Sequence, residues 1–550
     1  MTIDLDRPAK ISYTALTHTE RTKTENTDQT FAEHIESLKV DSETMNQITD
    51  RAFGLWRETD HGVSDQKWLE SPMVGRLSEF LQIFEAYLKD HGAEQGTNGD
   101  DTIKAYNNAW INGGNGDDTI TARNNAHIVG GVGNDTINAM NDSTVAAGDG
   151  NDVVSVYNNG TVWGGNGDDT INGYNNLFAS GGNGNDIINS YAGSELHGGN
   201  GNDTLSAYGN SKLDGGDGDD NISGYANSTA HGGRGDDNIS VYSDSTIWGG
   251  DGNDQLRGYD NLAASGGRGN DYLSGYDNAK LLGGSGNDVL RAYDNAYIDG
   301  GTGDDRIDAY SNAVINAGSG NDVIRTYHGA TVQAGDGHDD VRSDGYSWLN
   351  GGRGDDHMMA GSNSLLLGES GNDWLSGGEN ARISGGIGND TIYTRGNSVV
   401  SGGSGNDAIQ VADGSAILFN KGDGHDTVRA MGPTDISSGQ LKDSAIVFGP
   451  GIAPEDLSIE PKGDELVINI NGGQDSITLS NIDDMIARHQ VHSADPNNDA
   501  FAQRNEDLKN NAEITDDGIN ISQIPTLRFA DGTVMTSSDV ANLPRTDAEN

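Results

Sequence analysis

The chain has 550 residues, with 33 Lys+Arg against 85 Asp+Glu, a net charge of −52 and 81 glycines, about twice the usual ~7% of glycine. The absence of cysteine excludes disulfides and Cys-ligated zinc or iron–sulfur sites, and the acidity makes a nucleic-acid partner unexpected. No apolar run reaches the ~18 residues of a membrane span, and the opening MTIDLDRPAK has no apolar signal-peptide core.

Residues 1–30 are polar and Thr-rich, the composition of a disordered leader. From 31 to 95 the apolar spacing turns helical. Ser71-Pro72 reads as an N-cap and first turn, Leu77, Phe80, Leu81, Phe84, Tyr87 and Leu88 share one face, and Gly92 ends the helix. An earlier helix is expected over about 42–58. This helical segment is expected to cap the array that follows, because an uncovered terminal coil exposes strand edges.

From 96 to 430 the chain repeats. GGNGDDTITARNNAHIV at 113 returns as GGNGDDTINGYNNLFAS at 164, GGDGDDNISGYANSTAH at 215 and GGTGDDRIDAYSNAVIN at 300. The Asp of GGxGxD falls every 17 residues: Asp101, Asp118, Asp135, Asp152, Asp169, Asp186, Asp203, Asp220, Asp237, Asp254, Asp271, Asp288, Asp305, Asp322, Asp339, Asp356, Asp373, Asp390 and Asp407, nineteen loops without an insertion. An altered loop, LFNKGDGHDTV, adds Asp426 nineteen residues further on. The edges of the pattern are weaker, GTNGDD at 96–101 and GESGND at 368–373.

Two residues after each Asp sits Ile, Leu, Val or Met, as at Ile103 and Ile120. Ten residues after it runs a second apolar column, as at Ile111, Ile128 and Val145, with alanine at Ala179, Ala230 and Ala264. Small residues occupy the alternate positions, and period-two alternation marks half-buried strands. The fold class expected is all-β: a parallel β-roll or β-helix solenoid of 17-residue coils, two short strands per coil, with a small helical N-terminal cap and a β-rich C-terminal cap.

The glycine-rich loop has a chemical reading. Glycine lets the backbone turn its carbonyl oxygens toward one centre, and a carboxylate follows at a fixed offset. An oxygen-only donor set suits a hard cation with six to eight ligands, Ca2+ better than Mg2+. Coils stacked at about 4.8 Å place each loop over its predecessor. Nineteen loops leave 18 gaps, so one column of up to about 18 ions is expected.

The GGxGxDxUx nonapeptide resembles the RTX (repeats-in-toxin), haemolysin-type calcium-binding repeat. In that family both half-coils are usually nonapeptides, giving 18 residues and two ion columns. Here one half-coil is shortened to eight residues, and the resemblance implies a single column. It assigns calcium ligation to the nineteen Asp residues and to Asp426, with loop carbonyls completing the shell. It further implies an extracellular protein of a Gram-negative bacterium that leaves by type I secretion, with an uncleaved signal near the C-terminus.

Five residues after the Asp stands Tyr106, and then an unbroken series from Tyr157 to Tyr327, often with Asn two residues later. Stacked identical side chains are expected to form aromatic and amide ladders that close the ion-free edge; an exposed aromatic strip gripping carbohydrate or a partner is the other reading. Residues 431–550 carry further strand patterns, IVFGPGIAPEDLSI, DELVINI, QDSITLSNI and TLRFADGTVMTSSDV, around an acidic stretch at 483–520 expected to be a mobile insertion.

The chain has no HExxH, GxSxG or Walker loop, and His127, His197 and His231 read as isolated outward residues. No catalytic activity is expected. The function expected is a secreted calcium-binding repeat protein that folds on extracellular Ca2+ and acts in structure, adhesion or host interaction. Its cell-surface, polysaccharide or host partner is not named by any motif. The alternative is a delivered effector or toxin with its activity in the N-terminal segment.

Overall fold

Thr119–Ala122 is a four-residue strand that turns Ile120 and Ala122 inward and the two threonines outward. Trp110–Asn115 does the same with Ile111 and Gly113. These two strand types alternate along the chain because the apolar columns alternate in the sequence. The computed structural model describes residues 94–430, 444–462, 465–480 and 525–545. All belong to the unit Leu77–Asn550; the other unit, Met1–Arg76, lies outside the described residues. So do the expected leader, the helices of the N-terminal cap and the insertion over 483–520.

Each coil gives one strand to each of two parallel sheets. In the first sheet Ile120 pairs with Ile137 and Ala122 with Ala139. In the second, Ile128 pairs with Val145 and Gly131 with Gly148. The register is 17 residues at each step through the repeats, so every column of like residues in the sequence becomes a column in space. The all-β parallel solenoid of 17-residue coils is therefore the fold.

The core lies between the sheets and is thin. Ile120, Ile222 and Leu290 from the first sheet and Ile128, Leu196 and Leu281 from the second are fully buried. In most coils the large side chain is followed two residues later by Gly, Ala, Ser or Thr on the same inner face, which keeps the core thin. Burying such side chains is worth roughly 1.5–3 kcal/mol each, so the array gains stability coil by coil.

The turn opposite the glycine loop depends on asparagine. Asn125, Asn176 and Asn278 have φ of 55°, 49° and 58°, a left-handed conformation that Asn tolerates better than other side chains. Their amides also stack. Asn176 Nδ2 donates to Asn159 Oδ1 at 2.9 Å, and a neighbouring column repeats this from Asn175 to Asn158 at 2.9 Å. Beside them runs the tyrosine ladder: Tyr157 to Tyr327 stack ring on ring, with centroids 4.3 Å apart at Tyr208–Tyr225 and 4.8 Å at Tyr225–Tyr242, where the planes are 2° apart.

The C-terminal strands continue both sheets and then reverse. Ala445–Phe448 adds in parallel to Ala416–Phe419, and Thr526–Arg528 adds to that before pairing antiparallel with Val534–Met535. In the first sheet, Asp475–Ser480 pairs in parallel with His425–Ala430, and two antiparallel partners follow. Phe419, Phe448 and Phe529 fill the core at this end, with centroids 6.2 Å and 5.2 Å apart.

Candidate metal centre

The glycine-rich loop is shaped by two residues with positive φ. At the second and fourth positions Gly131 and Gly133 have φ of 126° and 134°, a region closed to most side chains. In the loop at 368–373 the second position is Glu369, held at φ 75°. The first glycine is different. Its backbone is not left-handed, and what it needs is room. A Cβ built on Gly113 would overlap both Asp118 Oδ2 and the carbonyl oxygen of Gly130 in the next coil. The same holds at Gly232, against Asp237 Oδ2 and the Gly249 carbonyl.

The two oxygens of each aspartate have separate surroundings. Oδ1 faces the preceding coil and accepts its backbone N–H: Asp101 N–H donates to Asp118 Oδ1 at 2.7 Å, Asp118 N–H to Asp135 at 2.8 Å, and Asp407 N–H to Asp426 at 3.0 Å. Oδ2 has no hydrogen-bond partner in any residue from Asp118 to Asp407, eighteen in succession, and these side chains are only 1–2% exposed. Asp101 is the exception, since its Oδ2 accepts from the Thr97 hydroxyl at 2.9 Å and from the Thr97 N–H. Thr97 thus closes the first loop where the second glycine is missing.

A buried carboxylate with one oxygen unpaired is costly to ionise. Burial pushes Asp169, Asp203 and Asp237 up to about 8 and Asp254 and Asp288 up to about 7, with neighbouring column members adding to the rise. The column ends in a denser group. Asp426 is pushed up to about 8 by burial and by Asp407 and Asp423 beside it, and Asp475 accepts from the Gly422 and Gly424 N–H groups.

This donor set fits a hard cation. Oδ2 of one coil and the glycine carbonyl of the next converge on the same small space, and every donor is oxygen. Among the described residues no group of three or more acidic or histidine side chains is placed to hold a metal ion by itself, so carbonyl oxygens must supply most of any shell. Each Asp turns its unpaired oxygen toward its own loop and the next coil only. The geometry therefore favours one carboxylate per gap.

A second column escaped the sequence reading. The residue before the Asp is Asp or Asn in eighteen of the nineteen regular loops and His338 in the other. These exposed side chains accept backbone N–H bonds from the following coil: Asn134 N–H donates to Asp117 Oδ1 at 2.8 Å and Asn253 N–H to Asp236 Oδ1 at 2.7 Å. The inner Asp ties each loop backward and the outer Asx ties it forward. The signal was present as GxG[DN]D, but turn preference alone accounts for Asn and Asp in a loop. His197 and His231, read as isolated, share one partner: their Nδ1 atoms lie 3.3 Å and 3.5 Å from the two carboxylate oxygens of Asp214, on three successive coils. The 17-residue step brings them together on the outer face.

Two parallel sheets, a glycine-rich loop and a buried carboxylate in each 17-residue coil define a β-solenoid with an internal row of oxygen donors. The RTX calcium-binding nonapeptide repeat (4 copies) matches residues 157–176, 197–228, 264–290, 310–330, 363–392 and 384–418. The chain is an RTX-type repeat protein, and its glycine-rich loops are calcium-binding repeats. No curated protein is similar to it in sequence. Among solved structures, the extracellular lipase LipA from Serratia marcescens is similar at 21% identity over 37% of this chain and 38% of that one, with a TM-score of 0.16. The similarity spans well under half of the lipase and says nothing of this chain's chemistry. No helix among the described residues is long and apolar enough to cross a membrane.

Proposed function

We propose that the array is an extracellular calcium-loaded β-roll whose folding at neutral pH is driven by calcium binding, and that it serves a structural, adhesive or host-facing role rather than catalysis. The observation that carries this reading is the unbroken series of eighteen buried, unpaired Oδ2 atoms, set in most loops beside a backbone carbonyl of the next coil. A cation in each gap would satisfy these oxygens and offset the repulsion along the column. Up to about 18 ions would cancel some two-thirds of the net charge of −52.

Ion binding and folding are then one process, because the carbonyls and the carboxylate converge only once two coils have stacked. At the low free calcium of a bacterial cytosol the repeats stay open, which suits passage through a type I export channel. At millimolar calcium outside the cell they close. The experiment is circular dichroism of the full chain in chelator and on addition of calcium, with bound ions counted. The expected result is little β signal in chelator and a steep gain with calcium, with magnesium a poor substitute. A complete β spectrum in excess chelator that calcium leaves unchanged rules the reading out.

A further inference from the structure

Sixteen of the nineteen loops begin with glycine, and three begin with alanine: Ala147, Ala317 and Ala334. The backbone there does not require glycine, since φ at this position is not left-handed. The requirement is spatial, because a Cβ at any of these sixteen glycines would meet Oδ2 of the Asp five residues later. The three alanines place a methyl group in that position, and all three are fully buried. Their aspartates, Asp152, Asp322 and Asp339, keep the backbone bond to Oδ1 and the unpaired Oδ2. In the glycine-led loops a carbon there would stand under 3 Å from Oδ2, so in these three loops the methyl group takes up room that the other loops leave open beside the carboxylate.

We propose that these methyl groups interrupt the ion column and divide the array into three blocks that load calcium separately. The inference rests on the calcium reading above. The first block runs from Asp101 to Asp135, the central one from Asp169 to Asp305, nine loops without a break, and the last from Asp356 to Asp407. In a stacked array each coil contacts only its neighbours, so a gap that does not take an ion uncouples the coils on either side. A second feature marks the same central segment independently. The tyrosine ladder starts at Tyr157, in the coil of Ala147, and ends at Tyr327, in the coil of Ala317. The central block is thus bounded by methyl groups on its ion side and braced along its full length on the opposite side.

The test uses the full chain and calcium alone. Wild type is compared with the triple variant Ala147→Gly, Ala317→Gly, Ala334→Gly, and with Gly232→Ala, which puts a fourth methyl into the middle of the central block. Ions are counted after equilibrium dialysis, and the titration is followed by circular dichroism. The expected result is that wild type binds three fewer ions than the triple variant and folds in separate steps that the variant merges into one. Gly232→Ala should bind one ion fewer than wild type and split the central step. Equal ion counts and superimposable titrations for all three proteins overturn the block structure while leaving the calcium reading intact. Failure of all three to bind calcium overturns both.

Discussion

Asp237 N–H donates to Asp254 Oδ1 at 2.9 Å, while Asp254 Oδ2 is buried without a donor beside Gly249 and the Gly266 carbonyl. One carboxylate therefore does two separable things: it ties its loop to the coil before it, and it presents a free oxygen to the coil after it. Asparagine keeps the first and loses the charge needed for the second. Asp254→Asn should bind one ion fewer yet hold more residual structure in chelator than wild type. Asp254→Ala should lose the ion and also leave the Asp237 N–H unpaired, at a cost of about 1–3 kcal/mol. Ion counting with thermal melts in calcium and in chelator separates the two; identical melts for Asn and Ala in chelator would remove the structural role of Oδ1.

The raised carboxyls give the calcium-free protein a pH dependence whose sign is set. Burial holds Asp169 at about 8 and Asp254 at about 7 in the fold, against about 3.9 in an unfolded chain. Between these values the folded form binds more protons than the unfolded form, so its stability falls as pH rises. In chelator the β signal should be strongest near the low end of this window and fade as pH climbs through about 6–8. Protons and calcium compete for the same oxygens, so the calcium midpoint should move to lower concentration over the same rise. A chelator spectrum that does not vary with pH would contradict this.

The tyrosine ladder consumes its own ring faces. Tyr242 lies between Tyr225 and Tyr259 at 4.8 Å and 4.9 Å, nearly parallel to both, so edges and hydroxyls are what reach solvent. Face-on gripping of a sugar is open only at the ladder's ends. Tyr242→Phe should change the calcium-bound melting point little. Tyr242→Ala removes two stacking contacts and should cost about 1–3 kcal/mol. If the two variants melt alike, the rings are not bracing the coils.

Glu369 occupies a position that is glycine in the coils on either side, at φ 75° against 113° for Gly352 and 123° for Gly386. A left-handed side chain costs roughly 1–2 kcal/mol, and only a 3.4 Å bond from Asn350 Nδ2 is gained in return. Glu369→Gly should raise stability in calcium by about 0.5–1 kcal/mol, less than the full strain because glycine has more freedom to lose on folding. Chemical denaturation of the calcium-bound chain measures it; a loss of stability would show that the Glu369 side chain supports its loop.

By itself the sequence determined the period, the parallel stacking, the inward columns and the aspartate row, because a repeat without insertions can only superpose residue i on residue i+17. Ile120 over Ile137 and Asp118 over Asp135 follow from arithmetic once alternation marks the strands. It also placed the tyrosines and asparagines in columns. What the tertiary structure decided is how each column uses its atoms. The direction in which Asp118 turns Oδ1, the opposite direction taken by Asp117, the room left by Gly113 and the sharing of Asp214 by His197 and His231 depend on backbone rotation and on the offset between successive coils. Those are set by the packing of all coils at once, and periodicity carries no record of them. The same holds for the three alanines: in a list of residues Ala147 is a mild substitution for glycine, and only the position of Oδ2 above it makes the methyl matter.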